Sequence, residues 1–391
     1  MNCDFEGKIG ESGASLSWEL TAGDGVYRRP HETWDRHSRD RFVASPPMSF
    51  KTLRRILATA CILLAFGEDA SAARKARGIT TARAVPVSIL MPPEASPYDL
   101  RVGEAARVAL HNQSNVALVA MDPWTGRVLV IGNPQSGLLT AYQPCSVFKL
   151  VVAVAGLTEG LITAESRFNC TDGCWISPGH GPIDLRRALA VSCNTYFEWV
   201  GQRLGFETVR AYAQKLGLGS QTGINLPGET AGVVPSSIPS LGVGHMSSHA
   251  QGVKTSAMQL AVLMSALVNG GVMHEPQFVS PEGLRVKERS RFSAPPTLAL
   301  LSPGLFSSVT EGSAQRAFDP GFVASGKTGS CAGVGWFASS LGYPRSEMVV
   351  VAFVRGGNGS AASAVAGEFY RSLLGVPSQS ITAIATASGS Q

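Results

Sequence analysis

The run Pro144-Cys145-Ser146-Val147-Phe148-Lys149-Leu150-Val151-Val152-Ala153-Val154-Ala155-Gly156-Leu157 decides how this chain is read. From Lys149 to Leu157 it is apolar on nearly all sides, which predicts a helix buried all round rather than an amphipathic surface helix. Lys149 opens that helix and Ser146 stands three positions earlier. That spacing puts both on one helix face with their Cβ atoms about 5–6 Å apart. A helix N-terminus also favours an anion developing at Ser146. A serine hydroxyl attacks a carbonyl when a base takes its proton, and a neutral lysine is one such base. Neutrality must be forced, because moving a lysine from about 10.4 to about 7 costs some 4–5 kcal/mol. Burial and a second cation nearby both push that way. Alone, Ser-x-x-Lys is a weak pattern, since a capped helix with a lysine reaching for solvent produces it as well.

Outward from the buried helix, the pattern changes from a period of 3.6 to strands on both sides. Upstream, Leu100, Val102, Ala105, Ala106 and Ala109 alternate with Arg101, Glu104 and Arg107 as in an amphipathic helix. Val116–Met121 and Val128–Ile131 are apolar strand runs joined by Asp122-Pro123-Trp124-Thr125-Gly126, which has turn chemistry. Downstream come helices at about Asp184–Ala190, Thr195–Leu204 and Glu207–Leu216, the last two stopped by Gly205 and Gly217. Ser256-Ala257-Met258-Gln259 reads as a capping box ahead of the helix Leu260–Val268. Strands return at about Ser325–Cys331, Trp336–Leu341 and Met348–Arg355, and a helix over Ala361–Leu374 ends the pattern. The order helix, two strands, helices, three strands, helix predicts an α+β fold: a five-stranded antiparallel sheet covered by the terminal helices, plus a mostly helical subdomain.

Two more short motifs carry chemistry. Ser192-Cys193-Asn194 supplies a hydroxyl able to pass a proton to a leaving group and a carboxamide able to hold a substrate amide. A helix-linking turn would use the same residues. Lys327-Thr328-Gly329-Ser330 falls on the first returning strand. Lys327 would be the second cation near Lys149 and could attract a substrate carboxylate, the Thr328 and Ser330 hydroxyls could bind that carboxylate, and Gly329 allows close backbone approach. The Ser330 N–H can then pair with the Ser146 N–H as an oxyanion hole. A strand with turn residues at its end explains this motif when it is taken singly. Together, in this order and on helix start, turn and strand, the three specify one site.

The rest of the sequence sets boundaries. At 391 residues, 44% hydrophobic and 16% charged, the chain can bury a core of useful size. The net charge of +5 is modest, and no basic stripe with interleaved aromatics is present, so nucleic acid is not an expected partner. Lys51, Arg54 and Arg55 precede the apolar run Ile56–Phe66, and Ala70-Ser71-Ala72 follows as a small-x-small pattern. This reads as a secretory signal peptide over 48–72, too short to span a bilayer, although it could be kept as an uncleaved anchor. Residues 1–47 are read as an extension outside the fold, 73–96 as a linker, 97–375 as the domain and 376–391 as a disordered tail. The expected location is extracytoplasmic, where disulfides are permitted. The five cysteines beyond the signal are an odd number, which argues against a disulfide-stapled scaffold.

Three of those cysteines and a nearby histidine call for separate treatment. Cys170, Cys174, His180 and Cys193 lie close in sequence, and three thiolates with an imidazole are a donor set that zinc accepts. A Cys170–Cys174 disulfide, or buried thiols with His180 on a backbone carbonyl, would use the same residues. The spacing matches no standard zinc motif, so no metal or other cofactor is expected. His245 and His249 are read as surface or loop residues.

The motifs and their flanks resemble the transpeptidase domain of class B penicillin-binding proteins, within the superfamily that includes the serine β-lactamases. The resemblance includes Ala141-Tyr142-Gln143-Pro144-Cys145-Ser146, Gly179-His180-Gly181, Thr222-Gly223-Ile224-Asn225-Leu226-Pro227-Gly228-Glu229, Gln251-Gly252, Asn269-Gly270-Gly271 and Gly335-Trp336-Phe337. It runs from about Ala105 to Leu374. It implies a D,D-transpeptidase or carboxypeptidase with an acyl-enzyme on Ser146, peptidoglycan stem peptides as substrate and β-lactams as inhibitors. It also assigns Lys149 and Lys327 to proton handling, and Ser192 and Asn194 to relay and substrate holding. Two departures are visible. Ser330 stands where the family usually has Thr, which keeps the hydroxyl, and the N-terminal pedestal or glycosyltransferase domain that larger members carry is not expected here. Two other readings share the acylation step: a β-lactamase, for which no second base motif is found, and a β-lactam or muropeptide sensor that only binds.

Overall fold

A computed structural model of the chain describes residues 87–377, apart from 293–294 and 343–344. The extension 1–47, the signal segment 48–72, most of the linker and nearly all of the tail fall outside the described residues.

In chain order, β1 (Ile89–Leu90) leads into α1 (Pro97–Leu110), then β2 (Val116–Met121) and β3 (Val128–Gly132) form the expected hairpin. The insertion follows with α2 (Lys149–Thr158), a small hairpin β4 (Phe168–Cys170) and β5 (Gly181–Ile183), α3 (Leu185–Ala190), α4 (Asn194–Leu204) and α5 (Phe206–Lys215). It continues with α6 (Gly242–His249), α7 (Ala257–Val268), a second hairpin β6 (Val272–His274) and β7 (Glu288–Arg291), α8 (Pro295–Ala299) and α9 (Ser302–Thr310). The chain then returns to the sheet through β8 (Ala324–Cys331), β9 (Val334–Leu341) and β10 (Met348–Arg355), and ends in α10 (Gly359–Leu374).

The main sheet is antiparallel in the order β1-β3-β2-β10-β9-β8, so hairpins far apart in sequence meet along β2 and β10, with Val351 opposite Val119. It has six strands where five were expected. The extra one is β1, paired through Ile89 with Gly132 and Leu90 with Ile131, inside the stretch read as a linker. Two residues cannot display a period of two, so nothing in their own pattern gave them away.

Alternation along β2 explains the layers. Ala117, Val119 and Met121 face the core shared with α2 and α7, whereas Val116, Leu118 and Ala120 face the core under α1 and α10. A strand buried on both faces is apolar throughout, as this one is. The run from Lys149 to Gly156 is buried on every side, as its composition requires, and α2 packs against α4 and α5. The Ser256–Gln259 capping box forms as read, with the Gln259 N–H donating to Ser256 Oγ at 3.2 Å and the Ser256 N–H to Gln259 Oε1 at 3.0 Å.

Candidate active site

Ser146 lies in a 3-10 turn, Cys145–Phe148, that runs directly into α2 and packs on β8, the edge strand of the sheet. The turn starts sharply because Cys145 has φ of 54°, the left-handed region that a non-glycine residue occupies only when its surroundings hold it there. What holds it is covalent. Cys145 is bonded to Cys331, with their Cα atoms 5.7 Å apart, so the residue before Ser146 is tied to the residue after Ser330. The odd cysteine count argues only against a disulfide-stapled scaffold: among the described residues one bridge forms, between residues 186 positions apart, three cysteines stay free, and no local spacing announces the bridge. Gly329 does what the motif needs. A Cβ added there would lie 2.6 Å from the Pro144 carbonyl oxygen, so only glycine lets β8 approach the turn this closely.

Lys149 is wholly buried at the start of α2. Its Nζ donates to the Ser192 carbonyl and to Asn194 Oδ1, each at 2.7 Å, and lies 3.2 Å from Ser192 Oγ. Ser192 also has a positive φ, 56°, and Asn194 is the first residue of α4, so a strained turn and a helix start bring both groups to the amine. Burial pushes the Lys149 amine down to about 7, against the pull of Cys193, Cys174 and Glu198, which favour its charged form. Lys327 is equally buried and donates to the Thr328 carbonyl at 2.9 Å. Burial, and after it the charge of Lys149, hold Lys327 well below the usual lysine range. Lys149 is therefore close enough to Lys327 to disfavour its charged form, although burial is the larger cause; the Lys149 amine itself is held down by burial.

Ser146, Ser192, Asn194, Thr328 and Ser330 line one cleft of about 230 Å³. Lys149, Lys327 and Gly329 are buried and do not line it. The Ser146 hydroxyl faces the Ser248 carbonyl at 3.5 Å, Thr328 Oγ1 shares a hydrogen bond of 2.6 Å with Ser313 Oγ, and Ser330 Oγ accepts from the Gly359 N–H at 2.8 Å. Trp175, Val191, Ser313 and His249 also line the cleft, and the sequence reading named none of them as site residues. His249 is a correction, since it lies at the end of α6 with its ring toward Asn194. A helix written Gly-Val-Gly-His-Met-Ser-Ser-His has almost no helix propensity, so tertiary packing makes it and the sequence hides it.

Cys170, Cys174, His180 and Cys193 come together behind the Ser192-Cys193-Asn194 turn, their donor atoms all within 4.8 Å of one another. Cys170 and Cys174 are free thiols rather than a disulfide, and His180 Nδ1 faces both at 3.5 Å instead of a carbonyl. The sulfurs of Cys193 and Cys170 are 3.5 Å apart and those of Cys174 and Cys193 3.8 Å. Ligands on zinc at about 2.3 Å for sulfur and 2.0–2.1 Å for nitrogen would have tetrahedral edges of roughly 3.5–3.8 Å, so this donor set fits that ion.

The comparisons with known proteins agree with the geometry. A family model described as the penicillin binding protein transpeptidase domain matches residues 116–375. The chain is 28% identical over 264 residues to stage V sporulation protein D of Bacillus subtilis, covering 57% of this chain and 40% of that protein. It is 29% identical over 167 residues to peptidoglycan D,D-transpeptidase MrdA of Haemophilus influenzae, covering 36% and 25% respectively. It thus spans less than half the length of these curated relatives. Among solved structures, the transpeptidase domain of Burkholderia pseudomallei penicillin-binding protein 3 superimposes with a TM-score of 0.63 at 20% identity, covering 75% of this chain and 97% of that one. Pseudomonas aeruginosa PBP2 in complex with WCK 5153 gives 0.63 at 23% identity, covering 70% and 76%. Because the family match extends over more than half of the chain and takes in all three motifs, the chain belongs to the penicillin-binding protein transpeptidase domain family.

Proposed function

We propose that this chain is a peptidoglycan D,D-transpeptidase that works through an ester on Ser146 and is acylated at the same atom by β-lactams. The observation that carries the reading is the bonding of Lys149. Its amine has two acceptors that cannot donate, the Ser192 carbonyl and Asn194 Oδ1, each at 2.7 Å. A neutral amine has two hydrogens and one lone pair. With both hydrogens so engaged, the lone pair is left for a hydroxyl proton, and the amine is half neutral near pH 7.

The reaction then follows. Ser146 Oγ attacks the carbonyl carbon between the two terminal D-alanines while its proton passes to Lys149. The oxyanion takes hydrogen bonds from the Ser146 and Ser330 N–H groups. The proton is returned, through Ser192 Oγ, to the departing D-alanine nitrogen as that bond breaks. An amine from a second stem peptide, or water in a carboxypeptidase cycle, next attacks the ester and releases Ser146. Thr328 and Ser330 hold the substrate carboxylate, and Asn194 holds its amide. Lys327, buried and bonded to the Thr328 carbonyl, serves proton handling beneath the site rather than as an exposed anchor. None of these steps needs a metal. Location outside the cytoplasm is part of the proposal, and the Cys145–Cys331 bridge supports it, since disulfides persist in oxidising compartments. No helix among the described residues is long and apolar enough to cross a membrane.

A labelled penicillin tests the reading. It should attach to Ser146 and not to a Ser146→Ala protein, and the adduct should last minutes with negligible turnover of a chromogenic cephalosporin. A difference of about 4 kcal/mol in the deacylation barrier is roughly a thousandfold in rate. Turnover of several per second would make the protein a β-lactamase, and label on the Ser146→Ala protein would remove Ser146 as nucleophile.

A further inference from the structure

His249 is joined to the lysine base through an unbroken line of hydrogen bonds. Glu198 Oε1 accepts from Ser248 Oγ at 2.9 Å, and Ser248 Oγ lies 2.6 Å from His249 Nδ1. His249 Nε2 lies 3.3 Å from Asn194 Nδ2, and Asn194 Oδ1 accepts from Lys149 at 2.7 Å. Two helices make the line possible. Asn194, Glu198 and Gly201 recur on one face of α4, and α6 crosses there so closely that a Cβ on Gly201 would strike the Ser247 side chain. Ser247 and Ser248 are fully buried, and His245 stacks on the His249 ring at 4.2 Å between centroids.

With Asn194 Oδ1 on Lys149, the chemistry of the partners sets one arrangement of the remaining protons. An amide nitrogen only donates, so His249 Nε2 must accept from Asn194. The ring proton is then on Nδ1 and is donated to Ser248 Oγ, which leaves the Ser248 hydrogen for Glu198. Turning the Asn194 amide over would present its NH2 to Lys149 and its oxygen to a ring nitrogen without a proton. With the ring proton on Nδ1, the ring contact would fail, and the Lys149 contact would fail with it whenever that amine is charged. We propose that His249 is a positioning residue for acylation: as the Nδ1–H tautomer braced by Ser248 and Glu198, it locks the Asn194 carboxamide with its oxygen on Lys149.

The ring is in the right state for this. Burial, then the charges of His245 and Lys149, outweigh the Glu198 carboxylate and push His249 down to about 4, so it stays neutral throughout the working range of the lysine. The consequence for Lys149 is specific. A fixed carboxamide oxygen occupies one of its hydrogens and keeps the lone pair free. Without that lock the amide samples the reversed orientation, which withdraws an acceptor that stabilises the ammonium form.

The inference rests on Lys149 being the base of the proposed acylation, but its first test does not depend on that reaction. Nitrogen-15 NMR of the native protein labelled at histidine, at pH 7, should show His249 protonated at Nδ1 and bare at Nε2, with the signals assigned by their loss in His249→Gln. A proton on Nε2 would overturn the proposal. The second test follows the acylation rate by labelled penicillin against pH. His249→Phe should lower the plateau rate by about tenfold, the worth of roughly one positioned hydrogen bond, and move the midpoint to lower pH. His249→Gln, whose Oε1 can accept from Asn194, should stay within about threefold of native. A His249→Phe protein that melts with the native one and keeps the native rate and midpoint would also overturn it. Should that variant fail to fold, the tautomer of the native protein decides. Failure of native protein to label at Ser146 would count against the acylation reading and leave the tautomer result standing.

Discussion

The acylation rate should depend on pH in a way that only a buried, neutralised lysine produces. With Lys149 at about 7, its neutral fraction is about one eleventh at pH 6 and about ten elevenths at pH 8. The second-order rate with a penicillin should therefore rise about tenfold over those two units and then level off. A lysine at its ordinary 10.5 would give about a hundredfold over the same interval and still be climbing at pH 9. The same shift has a sign in stability. Below pH 7 both folded and unfolded chains are protonated at this lysine, and the fold bears the whole cost of a buried ammonium, about 5 kcal/mol. Between 7 and 10.5 the unfolded chain binds more protons, so this cost shrinks as pH rises, from about 4 kcal/mol at pH 7 to about 2 at pH 9. Lys149→Met, which has nothing to protonate, should gain stability over native by less at pH 9 than at pH 7, the difference being about 2 kcal/mol. Rates by stopped-flow fluorescence and urea unfolding at three pH values measure both. A rate still climbing tenfold per unit at pH 9, with a stability difference independent of pH, would refute a neutral Lys149.

Further outcomes follow from the same site. Lys149→Ala should fold and label at Ser146 more slowly by about 10²–10⁴, read by the time course of penicillin attachment. Replacing both Cys145 and Cys331 by serine should lower unfolding free energy by up to about 5 kcal/mol on the chain-entropy account, measured by urea titration. Protein purified without chelator should carry about one zinc on Cys170, Cys174, His180 and Cys193, with the three thiols protected until chelator is added. Metal-free protein with three freely reacting thiols would make them ordinary buried cysteines.

Most of the architecture was legible because it rests on strong periodicity. The all-apolar run after Lys149 could only be a buried helix, and the strand runs at 116–121, 128–131 and 348–355 lie within a residue or two of where they were read. The motif residues were legible because their chemistry is local: Ser146 and Lys149 are set by helix spacing, Lys327 to Ser330 by one strand. What stayed hidden is made by tertiary contact. The strands β4 to β7 have three or four residues each, and β7 is Glu-Arg-Ser-Arg with every side chain exposed, so no alternation shows. α6 is made of poor helix formers held against Gly201, and His249 gained its place through that contact. Ser313 and Trp175 reach the cleft from loops, about which a linear pattern is silent. The partnership of Cys145 with Cys331 needed the sheet and the turn to meet first.

That partnership changes the connectivity of the molecule. Once it closes, the polypeptide from 145 to 331 is a ring, and the two lengths of chain outside it, carrying β1 to β3 and β9 to α10, are its tails. Both tails enter the same sheet, side by side at β2 and β10. A single cut anywhere in the helical insertion would leave one covalent molecule, with Ser146 and Ser330 still anchored on either side of the same bond. Exposed stretches of the insertion such as 236–241 can thus be nicked without releasing a fragment. Reduction is what would let the halves of a nicked chain come apart.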